Sequence, residues 1–232
     1  MKIMTFNTQH CLNYIQKKID YPIMADVIRQ FDPDIVGLNE MYHKGTDVAF
    51  EPQTAILSEL TGMPYHAFAK AIDVGENNPY GNGILSKIPF SSVQTIPIPD
   101  PVPKQEYSNY ESRCLLKVEL ENEVTVLVTH FGLNPDEQQN AVQTVLEHIR
   151  DEKCILMGDF NVLPDNAVLS PIRARMKDAA EKFCDPLYSY PSDAPNIKID
   201  YLFVSPDIEV IEADIPAVVA SDHRPHTATI KF

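Results

Sequence analysis

The sequence predicts an α/β protein whose mixed β-sheets are flanked by helices. Three features lead there. Short apolar runs rich in β-branched residues outnumber the helical patterns, and these runs come both as apparent hairpins and as strand–helix–strand units. An apolar content of 44% over 232 residues is also enough for a large core, so one compact domain spanning 1–232 is expected.

In chain order, strands are read at KIMTFN, DIVGLN, GNGILS, CLLKVEL, VTVLVTHF, CILMGDF, IDYLFVS and TATIKF. Helical patterns lie at PIMADVIRQF, PQTAILSELT and PDEQQNAVQTVLEHIRD. The last of these begins at Asn134 and Pro135, carries acids in its first turn, and has His148 and Arg150 near its end, as the helix dipole prefers. The 19 prolines are concentrated in irregular connections, especially IPIPDPVPKQEYSNY (96–110) and CDPLYSYPSDAPN (184–196). Both are read as long loops of the same domain, the usual carriers of substrate contacts at a strand-rich edge.

Composition narrows the function classes. Lys and Arg number 19 against 33 Asp and Glu, a net charge of −14, so the whole-molecule field does not draw in phosphate-rich polymers. A site holding a divalent cation can still be positive locally. Cys11, Cys114, Cys154 and Cys184 have no metal-type spacing and read as reduced, mostly buried thiols. No segment approaches the roughly 20 apolar residues of a membrane span, and the N-terminus lacks the apolar run of a signal peptide, so a cytoplasmic location is expected.

Polar side chains recur where the apolar runs end. KIMTFN ends in Asn7, DIVGLNE in Glu40, VTVLVTH in His130, and CILMGDFN in Asp159 and Asn161; Asp200 opens a strand, and Asp222 and His223 precede the last one. Taken singly, each has an ordinary reading as a turn former, a helix cap or a solvated side chain. Together they supply a site for hydrolysing a phosphoester. A hard cation such as Mg²⁺ takes oxygen ligands, for which Glu40 is the natural carboxylate and Asp159, Asn161 and Asp222 are further candidates. Activation of water near neutral pH suits a histidine oriented by a carboxylate, and His223 with Asp200 is such a pair. His10, His43, His66 and His148 lack a companion pattern and read as surface or structural.

The ordered series TFN, LNE, GNGILS, ESRCLLKVEL, VTHF, GDFN, IDYLF and SDH resembles the endonuclease/exonuclease/phosphatase superfamily of deoxyribonuclease I-like, metal-dependent phosphoesterases. The resemblance runs over nearly the whole chain. It implies a four-layer α/β sandwich of two packed mixed β-sheets with helices outside, a site at one edge, and in-line attack of an activated water supported by Mg²⁺ or Mn²⁺. By this resemblance Glu40, Asn7 and Asp222 belong to the metal site, and Asp159 and Asn161 position the water and the phosphate. His223 activates water or binds a phosphoryl oxygen with Asp200 as its partner, and His130 assists the phosphate or leaving group. Asn82 and Arg113 match weaker positions, as phosphate-side contacts. One departure is Asn39, where the family often has Gln before the acid.

The substrate class is read from charge. A nuclease wants a basic groove, whereas the basic residues near these motifs are Lys87, Lys104, Arg113, Arg173, Arg175, Lys198 and Arg224, the two of SPIRARMKDAA reading as an exposed helical face. A lipid phosphodiesterase wants an apolar segment for the bilayer, for which only Tyr188 and Tyr190 offer a lip. The expectation is a monomeric phosphodiesterase or phosphatase acting on a soluble or lipid-derived phosphoester. Nuclease action on DNA or RNA is the alternative, and an inactive binding scaffold the third reading.

Overall fold

The computed structural model describes every residue except 107 and 184–186. In chain order the strands are β1 Lys2–Asn7, β2 Ile35–Tyr42, β3 Tyr65–Asp73, β4 Pro79–Ser86, β5 Phe90–Pro97, β6 Cys114–Leu120, β7 Thr125–His130, β8 Cys154–Asp159, β9 Lys177–Asp178, β10 Asp200–Val204, β11 Glu209–Asp214 and β12 His226–Lys231. The helices are α1 Tyr21–Phe31, α2 Gln53–Thr61, α3 Pro135–His148 and the short α4 Ser170–Arg173.

Two six-stranded mixed sheets result, the first ordered β11-β12-β1-β2-β4-β3 and the second β5-β6-β7-β8-β10-β9. Alternation along each inner strand explains the layering. Ile3, Ile35 and Ile84 of the first sheet meet Val126, Val128, Ile155, Met157 and Leu202 of the second in a core between the sheets. The intervening Met4, Phe6, Val36, Leu38 and Leu85 face outward and pack against Met24, Ala25 and Ile28 of α1 and Leu57 of α2. On the far side, Leu115, Leu127, Leu156, Tyr201 and Phe203 pack against Ala141, Val142 and Val145 of α3 and Ile172 of α4. Both faces of β1, β7, β8 and β10 are therefore largely buried, which is why those strands read as nearly continuous apolar runs. This is the four-layer sandwich.

The three predicted helices are present. At the start of α3 the Glu137 carboxylate accepts from both the backbone N–H of Asn134, at 3.1 Å, and its side-chain amide, at 2.6 Å. The sequence reading missed β3, β5, β9 and β11, and placed Ile96 and Pro97 in a loop where they complete β5. Arg173 and Arg175 are not a free helical face. Arg173 lies over the Phe203 ring and 3.7 Å from Asp178, and Arg175 donates to the carbonyls of Leu146 and Ile149 and to Asp151, bracing the end of α3. Cys11, Cys114 and Cys154 are buried free thiols, and Cys184 lies outside the described residues.

Candidate active site

The strand ends converge at one edge of the sandwich. In the second sheet His130 pairs with Asp159, and Asp159 with Asp200, so three candidate residues stand side by side on β7, β8 and β10. In the first sheet Asn7 pairs with Asn39, on β1 and β2. Between Leu38 and Met41 the register of β2 against β4 slips, and Glu40 takes a left-handed φ of 60°. This bulge re-aims Glu40 toward Asn7.

Asp159 divides its two oxygens. Oδ1 accepts the backbone N–H of Asn161 at 2.9 Å, closing a tight turn in which Asn161 is left-handed with φ 49°. Asp159 and Asn161 therefore share the site through this turn and not through strand alternation, because β8 stops at Asp159; Phe160 between them is buried in the core. Oδ2 faces the site, 3.0 Å from Asn7 Nδ2 and 3.6 Å from both His130 Nε2 and His223 Nε2. The preceding Gly158 is required by close approach: a Cβ there would stand 1.8 Å from the Thr129 carbonyl oxygen.

Asn7 bridges two acids. Its Nδ2 donates to Glu40 Oε1 and to Asp159 Oδ2, each at 3.0 Å, while its Oδ1 accepts from the Gln9 N–H at 3.0 Å. Two carboxylates on one side fix the amide with its hydrogens toward them. The Asn7 oxygen is thus occupied by backbone, and Asn7 braces the Glu40 and Asp159 carboxylates against each other.

His223 Nδ1 is 2.8 Å from Asp200 Oδ2. Burial alone would lower the pKa of His223, but the carboxylates of Asp200 and Asp159 outweigh it and raise it to about 10. Asp159 is raised to about 7, by burial first, against the pull of the His223 charge and with the push of Asp200. His130 goes the other way: burial, then the charges of Arg113 and His223, hold it well below the usual histidine range. Arg113 Nη1 lies 3.0 Å from His130 Nδ1, and a guanidinium only donates, so Nδ1 accepts and the hydrogen of the neutral ring sits on Nε2. Asn161 Nδ2, which donates to the Phe131 carbonyl, stands 3.1 Å from that same Nε2. Two donors therefore face one another where an acceptor oxygen would relieve them.

Asp222 is half-buried, its carboxyl pushed up by burial and by Glu40 against the pull of His223. The turn that carries it is held by the loop before β10: Ser192 donates through its N–H to the Asp222 carbonyl at 2.7 Å and through Oγ to the Ser221 carbonyl at 2.6 Å. In the same loop the Tyr190 ring lies 4.9 Å from the His223 ring, and Tyr188 is exposed.

Asn82 does not present a free group to the site. Its Oδ1 accepts from Asn39 at 2.8 Å and its Nδ2 donates to the Cys114 carbonyl at 3.0 Å, so it supports the site from behind. Arg113 does reach it, beside His130 and 2.6 Å from Glu111. Three residues escaped sequence reasoning. Asn39, noted only as a departure from a family pattern, joins both sheets beneath Asp159. The phenol of Tyr80 is pushed far up by burial and by the nearby Glu40 and Glu111 carboxylates. His10 feels Glu40 and Asp222, although burial, the larger effect, lowers its pKa. No local pattern marks the last two.

The donor set suits a hard cation. Among the described residues no Lys or Arg is paired with Glu40, Asp159, Asp200 or Asp222, and the buried Asp200 Oδ1 has no hydrogen-bond partner. Ligand atoms of Asp159, Asp200 and His223 lie within 4.8 Å of one another, a second place where an ion could sit. There His223 and Asp200 already pair with each other at 2.8 Å.

Residues 4–223 match the Endonuclease/Exonuclease/phosphatase family. The chain belongs to that family. An endonuclease/exonuclease/phosphatase from Beutenbergia cavernae has a similar structure, with TM-score 0.86 and 24% identity, over 100% of this chain and 71% of that one. A family protein from Leptotrichia buccalis matches with TM-score 0.79 and 20% identity over 100% of both chains. A mannosyl-6-phosphatase from Bacteroides thetaiotaomicron matches with TM-score 0.76 and 16% identity, also over 100% of both. At these identities the likeness is one of fold, the deoxyribonuclease I-like sandwich described above. No curated protein matches the chain. Among the described residues no helix is long and apolar enough to cross a membrane.

Proposed function

We propose that this endonuclease/exonuclease/phosphatase family protein is an Mg²⁺-dependent hydrolase of small phosphoesters, soluble or lipid-derived. The observation that carries the reading is the surround of Asp159 Oδ2, with Asn7 at 3.0 Å and both His130 and His223 at 3.6 Å, beside two acids that no Lys or Arg neutralises among the described residues. Glu40 and Asp222 would hold the ion, Asn7 orienting Glu40, and bound there it would offset phosphate charge and stabilise the leaving oxygen.

The remaining roles belong to the chain's own groups. A water attacks phosphorus in line with the ester oxygen and gives its proton to Asp159 Oδ2; the P–O bond to the leaving group breaks, and the leaving oxygen takes a proton from solvent. With a pKa near 10, His223 is an imidazolium at neutral pH, which supports a role in donating Nε2–H to a phosphoryl oxygen in preference to the role of base. His130 Nε2–H and Asn161 Nδ2 are the second and third donors, and Arg113 fixes the His130 tautomer.

The nuclease alternative is weakened by where the basic residues go. Lys87 pairs with Asp32, Lys104 with Asp100, Arg113 with Glu111, and Lys198 with Asp178, while Arg224 donates to the Ser192 carbonyl. These are poor starting points for a phosphate-tracking groove. The fold shared with a mannosyl-6-phosphatase makes sugar phosphates sensible first substrates. The test is a release assay with Mg²⁺, Mn²⁺ or chelator on sugar phosphates, simple mono- and diesters, supercoiled plasmid and abasic duplex, with Asp159→Ala as control. Metal-dependent release from small esters supports the proposal, whereas cleavage of plasmid or abasic duplex alone overturns the substrate class.

A further inference from the structure

The donors free to meet a substrate, His130, Asn161 and His223, come from the ends of β7 and β8 or from the turn before β12, whereas on the first-sheet side Asn7 is spent on Glu40 and Asp159 and the other site groups described there are the acids Glu40 and Asp222. One residue beside those acids is unused by the site as described. His10 follows β1 in a turn where Gln9, His10 and Cys11 are all left-handed, with φ 47°, 46° and 61°. Three successive non-glycine residues in that region are costly, on the order of 1 kcal/mol or more each, and such strain persists only where the surroundings enforce it.

The enforcing contacts are specific. The His10 N–H donates to the Glu40 carbonyl at 2.8 Å. Gln53, fully buried at the start of α2, donates from Nε2 to the His10 carbonyl at 2.7 Å and accepts the Tyr42 N–H at 2.8 Å. The imidazole lies flat on the Tyr42 ring, 4.8 Å between centroids at 11°, and Tyr42 in turn stacks on Phe50 at 4.2 Å. The half-buried ring is thereby held within the field of both Glu40 and Asp222.

We propose that His10 is a substrate-contacting residue on the first-sheet side, donating a ring N–H to an oxygen of the phosphoester opposite His130 and His223. This rests on the phosphoesterase reading above. A strained turn tied down by Gln53 and Tyr42 supplies a donor on the side where the Asn7 amide is already committed to Glu40 and Asp159 and where the Glu40 and Asp222 carboxylates repel a phosphate oxygen.

Two variants and one titration test it. His10→Phe keeps the stack on Tyr42 and loses the N–H; His10→Gln keeps a donor. The expected result is a fall in kcat/KM on the order of 10- to 100-fold for His10→Phe, carried partly by KM, with melting temperature and Mg²⁺ midpoint near wild type and partial recovery in His10→Gln. Independently of turnover, inorganic phosphate added to the Mg²⁺-loaded protein should shift the His10 ring resonances saturably, with affinity weakened in His10→Phe. Unchanged kcat/KM and phosphate affinity in His10→Phe, a lower melting temperature without recovery in His10→Gln, or a His10 resonance indifferent to phosphate would each overturn the inference. Should the wild type cleave none of the esters, the phosphoesterase reading fails, and the phosphate titration alone then decides whether His10 meets an anion.

Discussion

Asn39 holds Asp159 by its backbone: across the gap between the sheets, the Asp159 N–H donates to Asn39 Oδ1 at 2.9 Å. The amide hydrogens of Asn39 go to Asn82 Oδ1 and to the Thr129 carbonyl, each at 2.8 Å. All three bonds are buried, so Asn39→Ala leaves three polar groups of the second and first sheets without partners. The expected cost is about 2–4 kcal/mol in urea or thermal unfolding, together with at least a tenfold fall in kcat as Asp159 loosens. Wild-type stability and turnover in this variant would mean that water replaces the amide and that Asn39 is not the joint between the sheets.

The legibility of the fold followed burial. The eight strands read from the sequence correspond to β1, β2, β4, β6, β7, β8, β10 and β12, which are the interior strands of the two sheets. The four missed, β3, β5, β9 and β11, are the four sheet edges. Edge strands have one neighbour and an exposed face; FSSVQTIP and EVIEAD carry polar residues there and lack a sustained apolar run. The candidate site was legible as a set of residue types, because its acids and histidines stand where apolar runs end. Residues that act through geometry were not. The bulge that turns Glu40, the left-handed turn at Asn161 and the path of His10 to Glu40 depend on pairings between segments far apart in the chain.

Gly158→Ala tests the closeness of β8 to β7. Its Cβ would meet the Thr129 carbonyl oxygen at 1.8 Å and the Thr129 carbonyl carbon at 2.9 Å, and Gly158 has φ 145°. Backbone cannot yield as a flexible side chain can, so a destabilisation above about 4 kcal/mol or failure to fold is expected. A soluble variant with an unchanged melting temperature would show that the two strands separate at little cost.

Stability should fall on the alkaline side because of His223. Its folded pKa, about 10, lies above the unfolded value near 6.5, so the folded state binds the extra proton. The stabilisation is fully present below pH 6.5 and is lost as pH rises through about 10, with a total of a few kcal/mol. Denaturant midpoints measured from pH 6 to pH 10.5 should decline in the wild type and decline less in His223→Gln. Parallel curves for the two proteins would remove the Asp200–His223 ion pair from the account.

On the acid side the expected cause is His226. It is fully buried on β12, neither ring nitrogen makes a well-formed hydrogen bond, and burial, followed by the charge of Lys198, lowers its pKa to about 4. A folded pKa below the unfolded value means that the unfolded chain binds the proton more readily. Stability is therefore lost as pH falls from about 6.5 to about 4, by on the order of 3 kcal/mol. His226→Leu should flatten that limb without altering the alkaline one, and an acid limb as steep as the wild type's would point to other groups.

Glu40→Gln separates the metal from the rest of the site. Glu40 shares Asn7 with Asp159 and adds to the push on the Asp222 carboxyl, so in the metal-free protein its charge is a source of repulsion. Removing that charge should leave the metal-free protein as stable as wild type or slightly more so. It should also weaken Mg²⁺ binding tenfold or more, since one carboxylate of the proposed Glu40 and Asp222 site is lost. In the wild type, Mg²⁺ at a hundred times its dissociation constant should add about 2.7 kcal/mol of stability, read as a rise in melting temperature that chelator reverses. In Glu40→Gln the same Mg²⁺ concentration should give a much smaller rise, and the midpoint of metal-activated turnover should move to correspondingly higher concentration. An unchanged rise and midpoint would assign the ion elsewhere, with the cluster of Asp159, Asp200 and His223 as the next site to test.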